Sequence, residues 1–128
     1  MKKILLSLLL ISSFISAAEW PHKNISVAEF ATDVIDRKPV NVLTESNNSN
    51  KKIYFYTNIR NLQGQTVKHR WSYQDKIMAE VSFNIGGSRW RVWSSKNFLK
   101  SWTGEWKVDV ISNGTLLMSK TFNYKENE

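Results

Sequence analysis

Thr66-Val67-Lys68-His69-Arg70-Trp71-Ser72-Tyr73-Gln74-Asp75 is the stretch whose reading decides the fold. Val67, His69, Trp71 and Tyr73 fall on every second residue, while Thr66, Lys68, Arg70, Ser72 and Gln74 fill the alternate places. Successive side chains of a strand leave on opposite faces, so a period of two describes a strand with one face in a core and the other in water. The pattern recurs downstream. Ala79, Val81, Phe83 and Ile85 alternate with Met78, Glu80, Ser82 and Asn84 as far as Gly86-Gly87, and Trp90 and Val92 alternate with Arg89, Arg91 and Trp93. Upstream, Ile53 to Ile59 is a nearly unbroken aromatic and β-branched run, as expected of a central strand.

The last hairpin allows a register argument. A two-residue Asn113-Gly114 turn would set Lys107 opposite Lys120 and Trp106 opposite Thr121. A three-residue loop of Ser112, Asn113 and Gly114, with Gly114 at positive φ, pairs Val110 with Leu116 and Val108 with Met118 instead. That loop is the arrangement expected, with Trp106, Val108 and Val110 on one face with Leu116, Met118 and Phe122. Between Asn24 and Leu43, Val27, Phe30 and Val34 fit a helical stripe, and Ala28, Phe30, Thr32 and Val34 fit a strand face. The β-branched content favours a strand, with Pro39 at its end or at an edge position. Thr44 to Lys52 reads as a polar loop that contributes nothing to a core and moves most. Ser95 to Thr103, with Phe98, Leu99 and Trp102, suits one helical turn crossing between sheets. Six or seven strands with turns every 8 to 12 residues or so predict an all-β, immunoglobulin-like antiparallel β-sandwich of about seven strands, with a closed barrel as the rival.

The first eighteen residues have the parts of a cleaved signal peptide: Lys2 and Lys3, an apolar run from Ile4 to Ile15, then Ser16, Ala17 and Ala18. The run is shorter than the roughly 20 residues a spanning helix needs. Cleavage is expected between Ala18 and Glu19. The mature chain, Glu19 to Glu128, is then a single exported, periplasmic domain without a transmembrane segment. It has no cysteine, so packing alone must hold it, and its six tryptophans are expected to fill the space between the sheets. Removing Lys2 and Lys3 lowers the formal net charge of +7 by two. A moderate basic excess of this kind serves solubility, and in an export compartment it also suits an envelope protein or anionic glycan as partner, while the compartment argues against nucleic acid.

Chemistry is sparse. There is no cysteine nucleophile and no Gly-x-Ser-x-Gly, and the two histidines, His22 in the leader and His69 in a strand, make neither a triad nor a metal site. No cofactor is implied. The carboxylates Asp33, Asp36, Asp75, Glu80, Glu105 and Asp109 include no pair that the sequence places face to face, which leaves an envelope-glycan hydrolase as a rival reading. His69, beside Trp71 on the core face, is expected to be a buried neutral imidazole donating to a backbone carbonyl, or else a pH-sensitive group. The candidate ligand-binding residues are Arg70, Arg89, Arg91, Trp93 and Lys96, with Lys68, Lys100 and Trp102 nearby in sequence. Guanidinium beside indole suits sugars and anions, the ring stacking and the arginine forking onto carboxylate or phosphate. The same residues also describe a solvated sheet face. A third reading is an accessory domain that adds a strand to a partner's sheet through an exposed, uncharged edge.

Several motifs are ordered along the chain: Tyr54-Phe55-Tyr56-Thr57, Asn61-Leu62-Gln63-Gly64, His69-Arg70-Trp71, Arg89-Trp90-Arg91, Trp93-Ser94-Ser95-Lys96, Gly104-Glu105-Trp106 and Phe122. With them the sequence resembles the bacterial domain-of-unknown-function family numbered twenty-nine fourteen, over a core of about residues 25 to 124. Asp36-Arg37-Lys38-Pro39 is similar to a family segment in which an acidic residue precedes the proline, a place that Lys38 takes here. The resemblance implies a small β-rich domain of exported or envelope proteins with no established activity. It also implies that Arg70, Arg91 and Lys96 belong to family motifs.

Overall fold

A computed structural model describes residues 22–47 and 49–127. The expected signal peptide and its cleavage site lie outside the described residues. Nine strands are present among the described residues: β1 (Ile25–Ile35), β2 (Lys38–Leu43), β3 (Glu45–Asn47), β4 (Lys52–Arg60), β5 (Thr66–Tyr73), β6 (Lys76–Asn84), β7 (Arg89–Asn97), β8 (Gly104–Ser112) and β9 (Thr115–Lys125). They form a four-stranded sheet in the order β2-β1-β4-β7 and a five-stranded sheet in the order β3-β9-β8-β5-β6. All pairings are antiparallel except that of β3 with β9. This is the immunoglobulin-like order. β9-β8-β5-β6 corresponds to G-F-C-C′ and β1-β4-β7 to A-B-E, while β6 leads into β7 through Ile85–Ser88 with no D strand between them.

The alternating stretch Thr66–Tyr73 is β5, and its inward residues Val67, His69 and Trp71 are fully buried. Phe30 and Phe55 from the four-stranded sheet meet Trp71 and Phe122 from the other, with Phe30 ring centroids 4.9 Å from Phe55 and 5.0 Å from Phe122. A second aromatic group joins Phe98, Trp106 and Tyr124, at 4.3 and 4.7 Å. Of the tryptophans described, only Trp71 and Trp106 are fully buried, whereas Trp90 and Trp93 reach solvent. The space between sheets is therefore filled largely by phenylalanine and aliphatic side chains.

Several expectations change. Asn24 to Leu43 is a hairpin rather than one strand. Asp36 and Arg37 form its two-residue turn at φ 52° and 60°, and Pro39 occupies the outer strand β2. Gln74 and Asp75 turn β5 into β6 in the same left-handed conformation. Such turns match strand twist but usually advertise themselves through Asn-Gly or Asp-Gly, which is why these two escaped notice. The polar stretch after Thr44 is not all loop. Glu45–Asn47 pairs with β9 and Ser46 is buried. Ser95 to Asn97 continue β7, and the crossing to β8 is a turn closed by the Trp102 N–H on the Leu99 carbonyl, 3.0 Å, not a helix.

The last hairpin is also corrected. Its turn has two residues, Asn113 and Gly114 at φ 46° and 85°, with Ser112 opposite Thr115. A register shift between Val110 and Ile111 then sets Val110 opposite Met118, Val108 opposite Lys120 and Trp106 opposite Phe122. The Lys107–Lys120 clash is avoided by a bulge instead of a longer loop, because the Asn-Gly pair already satisfies the positive φ values of the tightest turn. The shift leaves Leu116 exposed and brings Lys120 to the core side, where its ammonium donates to the Ala28 carbonyl at 2.7 Å. Burial lowers the pKa of Lys120, opposed by the charge of Glu29.

Candidate anion-binding site

β7 is an edge strand of the four-stranded sheet, so its outward residues Arg89, Arg91 and Trp93 stand beside a single neighbour, β4. Register sets Arg89 opposite Arg60, Arg91 opposite Asn58 and Trp93 opposite Tyr56. The Trp93 indole stacks on the Tyr56 ring, centroids 6.3 Å apart at 18°. The Tyr56 hydroxyl donates to the Arg37 carbonyl at 2.8 Å, which fixes the β1–β2 turn over this face. Burial raises the pKa of the Tyr56 phenol, opposed by the nearby charges of Arg91 and Arg89. Arg37, Arg89, Trp90 and Arg91 line one depression of about 240 Å³. Trp90 alternates with Arg89 and Arg91 to the other side of β7, opposite Ile59, and its indole packs on Gly86, where a methyl group would fall 2.9 Å from Cη2. Among the described residues, no carboxylate forms an ion pair with Arg37, Arg60, Arg89 or Arg91. Three arginines around one concavity present many N–H donors and positive charge to an anion.

The other expected site residues go elsewhere. Arg70 leaves β5 on the outer face of the five-stranded sheet, away from Arg89 and Arg91. Its Nε lies 2.6 Å from Glu80 Oε2, and Lys68 Nζ lies 3.5 Å from the other oxygen. The hydrogen bond from Arg70, with smaller help from Lys68, holds the Glu80 carboxyl low against the opposing effect of burial. Lys96 lies at the far end of β7 from Arg89, with its ammonium 4.9 Å from the Trp102 ring centre and donating to the Asn97 carbonyl. Lys100 and Trp102 are in the β7–β8 connection. The carboxylates Asp75, Glu105 and Asp109 line a depression on the five-stranded sheet with Arg70 and Lys107 among them. There the Ser119 hydroxyl donates to Asp109 at 2.5 Å, and Lys107 stands 3.9 Å from the same oxygen. Among the described residues, no group of three His, Asp or Glu is placed to hold a metal. His22 Nδ1 accepts the Asn24 N–H at 3.0 Å.

His69 is buried, as expected, but its partners are hydroxyls rather than a backbone carbonyl. Its Nδ1 is 2.8 Å from Ser94 Oγ and its Nε2 is 3.0 Å from Thr57 Oγ1. Trp71 Nε1 donates to the same Ser94 oxygen at 3.1 Å, and the Thr57 hydroxyl reaches the Val92 carbonyl at 3.3 Å. One proton assignment satisfies every group. Trp71 donates to Ser94, Ser94 to His69 Nδ1, His69 Nε2–H to Thr57, and Thr57 to the Val92 carbonyl. This relay joins β5 to β4 and β7 across the core. A second ring proton would leave the Ser94 hydroxyl without an acceptor, and burial holds the imidazole pKa down at about 3.

Sequence reasoning reached Arg89, Arg91 and Trp93 from alternation. It missed Arg37 and Arg60 as members of the cluster. Arg37 comes from a distant turn, and only its motif with Pro39 marked it. Ser94 and Thr57 were missed because a serine or threonine on a core face gives no signal until its partner is known.

No curated protein matches this chain. Residues 64–124, from the end of the β4–β5 connection into β9, match the family described as "Protein of unknown function (DUF2914)", a span that holds Arg89, Trp90 and Arg91 but begins after Arg37. The match is to the family that the motifs of the sequence resemble.

Proposed function

We propose that the protein is a non-enzymatic binding module of the cell envelope, exported to the periplasm, whose Arg37–Arg89–Arg91 depression takes an anionic group of an envelope partner. One observation carries this reading: three arginines converge on one concavity and, among the described residues, no carboxylate pairs with them. Like charges gathered beside a surface cost free energy unless a counter-charge is supplied, and here no described residue forms the ion pair that would supply it. Both envelope glycans and envelope proteins offer carboxylates, so the group bound is named before its carrier.

The test follows tryptophan fluorescence, since Trp93 shares the outward face of β7 with Arg89 and Arg91. Inorganic phosphate, an oligouronate and a glutamate-rich peptide are titrated at low and at physiological salt. At least one anion is expected to bind, to weaken as salt rises, and to lose about tenfold in affinity with Arg91→Ala. Silence across the panel would sink the proposal.

A further inference from the structure

The sandwich leaves four strands at sheet edges, and three of them are blunted. β2 carries Pro39, which has no N–H to offer, and Asn41 in the left-handed region at φ 55°. β3 has three residues. β6 carries a register shift near Ala79. Each of these is a recognised way of refusing an added strand. β7 has none of them. It pairs with β4 over nine consecutive residues without a shift, from Arg60 opposite Arg89 to Lys52 opposite Asn97, and it contains no proline. Among the described residues nothing pairs with its other side.

What lies beneath that open edge is equally telling. Ala79, Val81 and Phe83 of β6 stand opposite Trp71, His69 and Val67 and so point to the core side. They are only partly buried, because β7 lies over β5, where Ser94 meets His69 and Trp71, and among the described residues no strand lies over β6. A strand added beside β7 would continue the four-stranded sheet, with one set of alternate side chains over Val81 and Phe83. The other set would emerge beside Arg89 and Arg91 on the outer face.

We infer that β7 receives an extended segment of a partner protein in which apolar and acidic residues alternate, the apolar ones closing over β6 and an acidic one reaching the arginine depression. This rests on the anion-binding reading and names the carrier of the anion. Main-chain hydrogen bonds supply pairing, and the two faces supply selectivity. The β7 edge carries Arg89, Arg91 and Lys96 and no acid, so a basic segment would be repelled.

The experiment uses a nine-residue peptide of alternating valine and glutamate, its valine and lysine counterpart, and two N-methylated forms of the acidic peptide that block one or the other main-chain edge. Binding is read from tryptophan fluorescence and from hydrogen exchange at the β7 amides, with circular dichroism confirming that each variant is folded. The acidic peptide should bind at least about tenfold more tightly than the basic one. One N-methylated phase should abolish binding, and the amides of residues 89–97 should gain protection. In Arg89→Glu combined with Arg91→Glu, the preference should turn to the basic peptide. Equal binding of both N-methylated forms, or an oligouronate that binds as well as the peptide without protecting β7, would overturn the strand while leaving the anion site standing. If peptides, uronate and phosphate all fail to bind, both readings fall.

Discussion

On the outer face of the five-stranded sheet, Arg70 stands in register between Glu80 on one side and Asp109 on the other, and Lys68 shares Glu80 with it. On the outer face of the four-stranded sheet, Arg60 stands opposite Arg89, and Arg37 and Arg91 gather nearby with no ion pair among the described residues. The first face satisfies its cations from within. The second holds a like-charged cross-strand pair of a kind that costs about 0.2–1 kcal/mol in a sheet. A solubilising surface gains nothing from crowding its charges in this way, and a surface built to meet an anion does. The two cationic strands, β5 and β7, are tied back to back by the His69 relay, so the faces are mechanically linked through the core.

The largest effect expected comes from cutting that tie. Ser94→Ala removes at once the partner of His69 Nδ1 and of Trp71 Nε1, both buried, and should cost about 3 kcal/mol, seen as a fall in Tm of roughly 10–20 °C. A loss under about 1 kcal/mol would show that the faces are held by packing alone.

Acid should loosen the same tie. The folded imidazole titrates at about 3 and the unfolded one near 6.5, so below pH 6.5 the unfolded chain takes up a proton that the folded chain refuses. Stability from this group is therefore complete above pH 6.5 and declines as pH falls, by ~1.4 kcal/mol per unit, until pH 3. At pH 4.5 about 2.7 kcal/mol should be gone. His69→Gln, which keeps a hydrogen-bonding side chain but does not titrate, should flatten this part of the pH profile. An unchanged acid slope in that variant would assign the loss to other groups.

Three smaller effects compare the faces directly. Arg91→Ala should weaken anion binding about tenfold, or 1.4 kcal/mol, with Tm unchanged or slightly raised as the like charges thin out. Gly86→Ala crowds the far end of the Trp90 indole, on the other side of β7 from Arg89 and Arg91, and should shift the fluorescence of the free protein while weakening binding by no more than about twofold. Arg70→Ala should leave anion binding unchanged within about twofold, because its charge is already matched and its face is the other one. If Arg70→Ala weakened binding as much as Arg91→Ala, the distinction between the faces would collapse.

Sequence alternation alone determined that the chain is a β-sandwich, that Val67, His69 and Trp71 face its core, and that Arg89, Arg91 and Trp93 share an outward face. A strand's period of two is local, so it can be read without knowing any neighbour. Register and partnership are not local. The bulge that turned Lys120 inward, the left-handed turns at Asp36-Arg37 and Gln74-Asp75, and the burial of Ser46 against β9 depend on which strand lies alongside. The site divides in the same way. Arg70 and Arg91 looked alike in sequence, each an arginine between aromatic or apolar neighbours. Only the tertiary structure separated them, by placing one among carboxylates and the other at an open edge, since the field around a charge is set by groups distant along the chain.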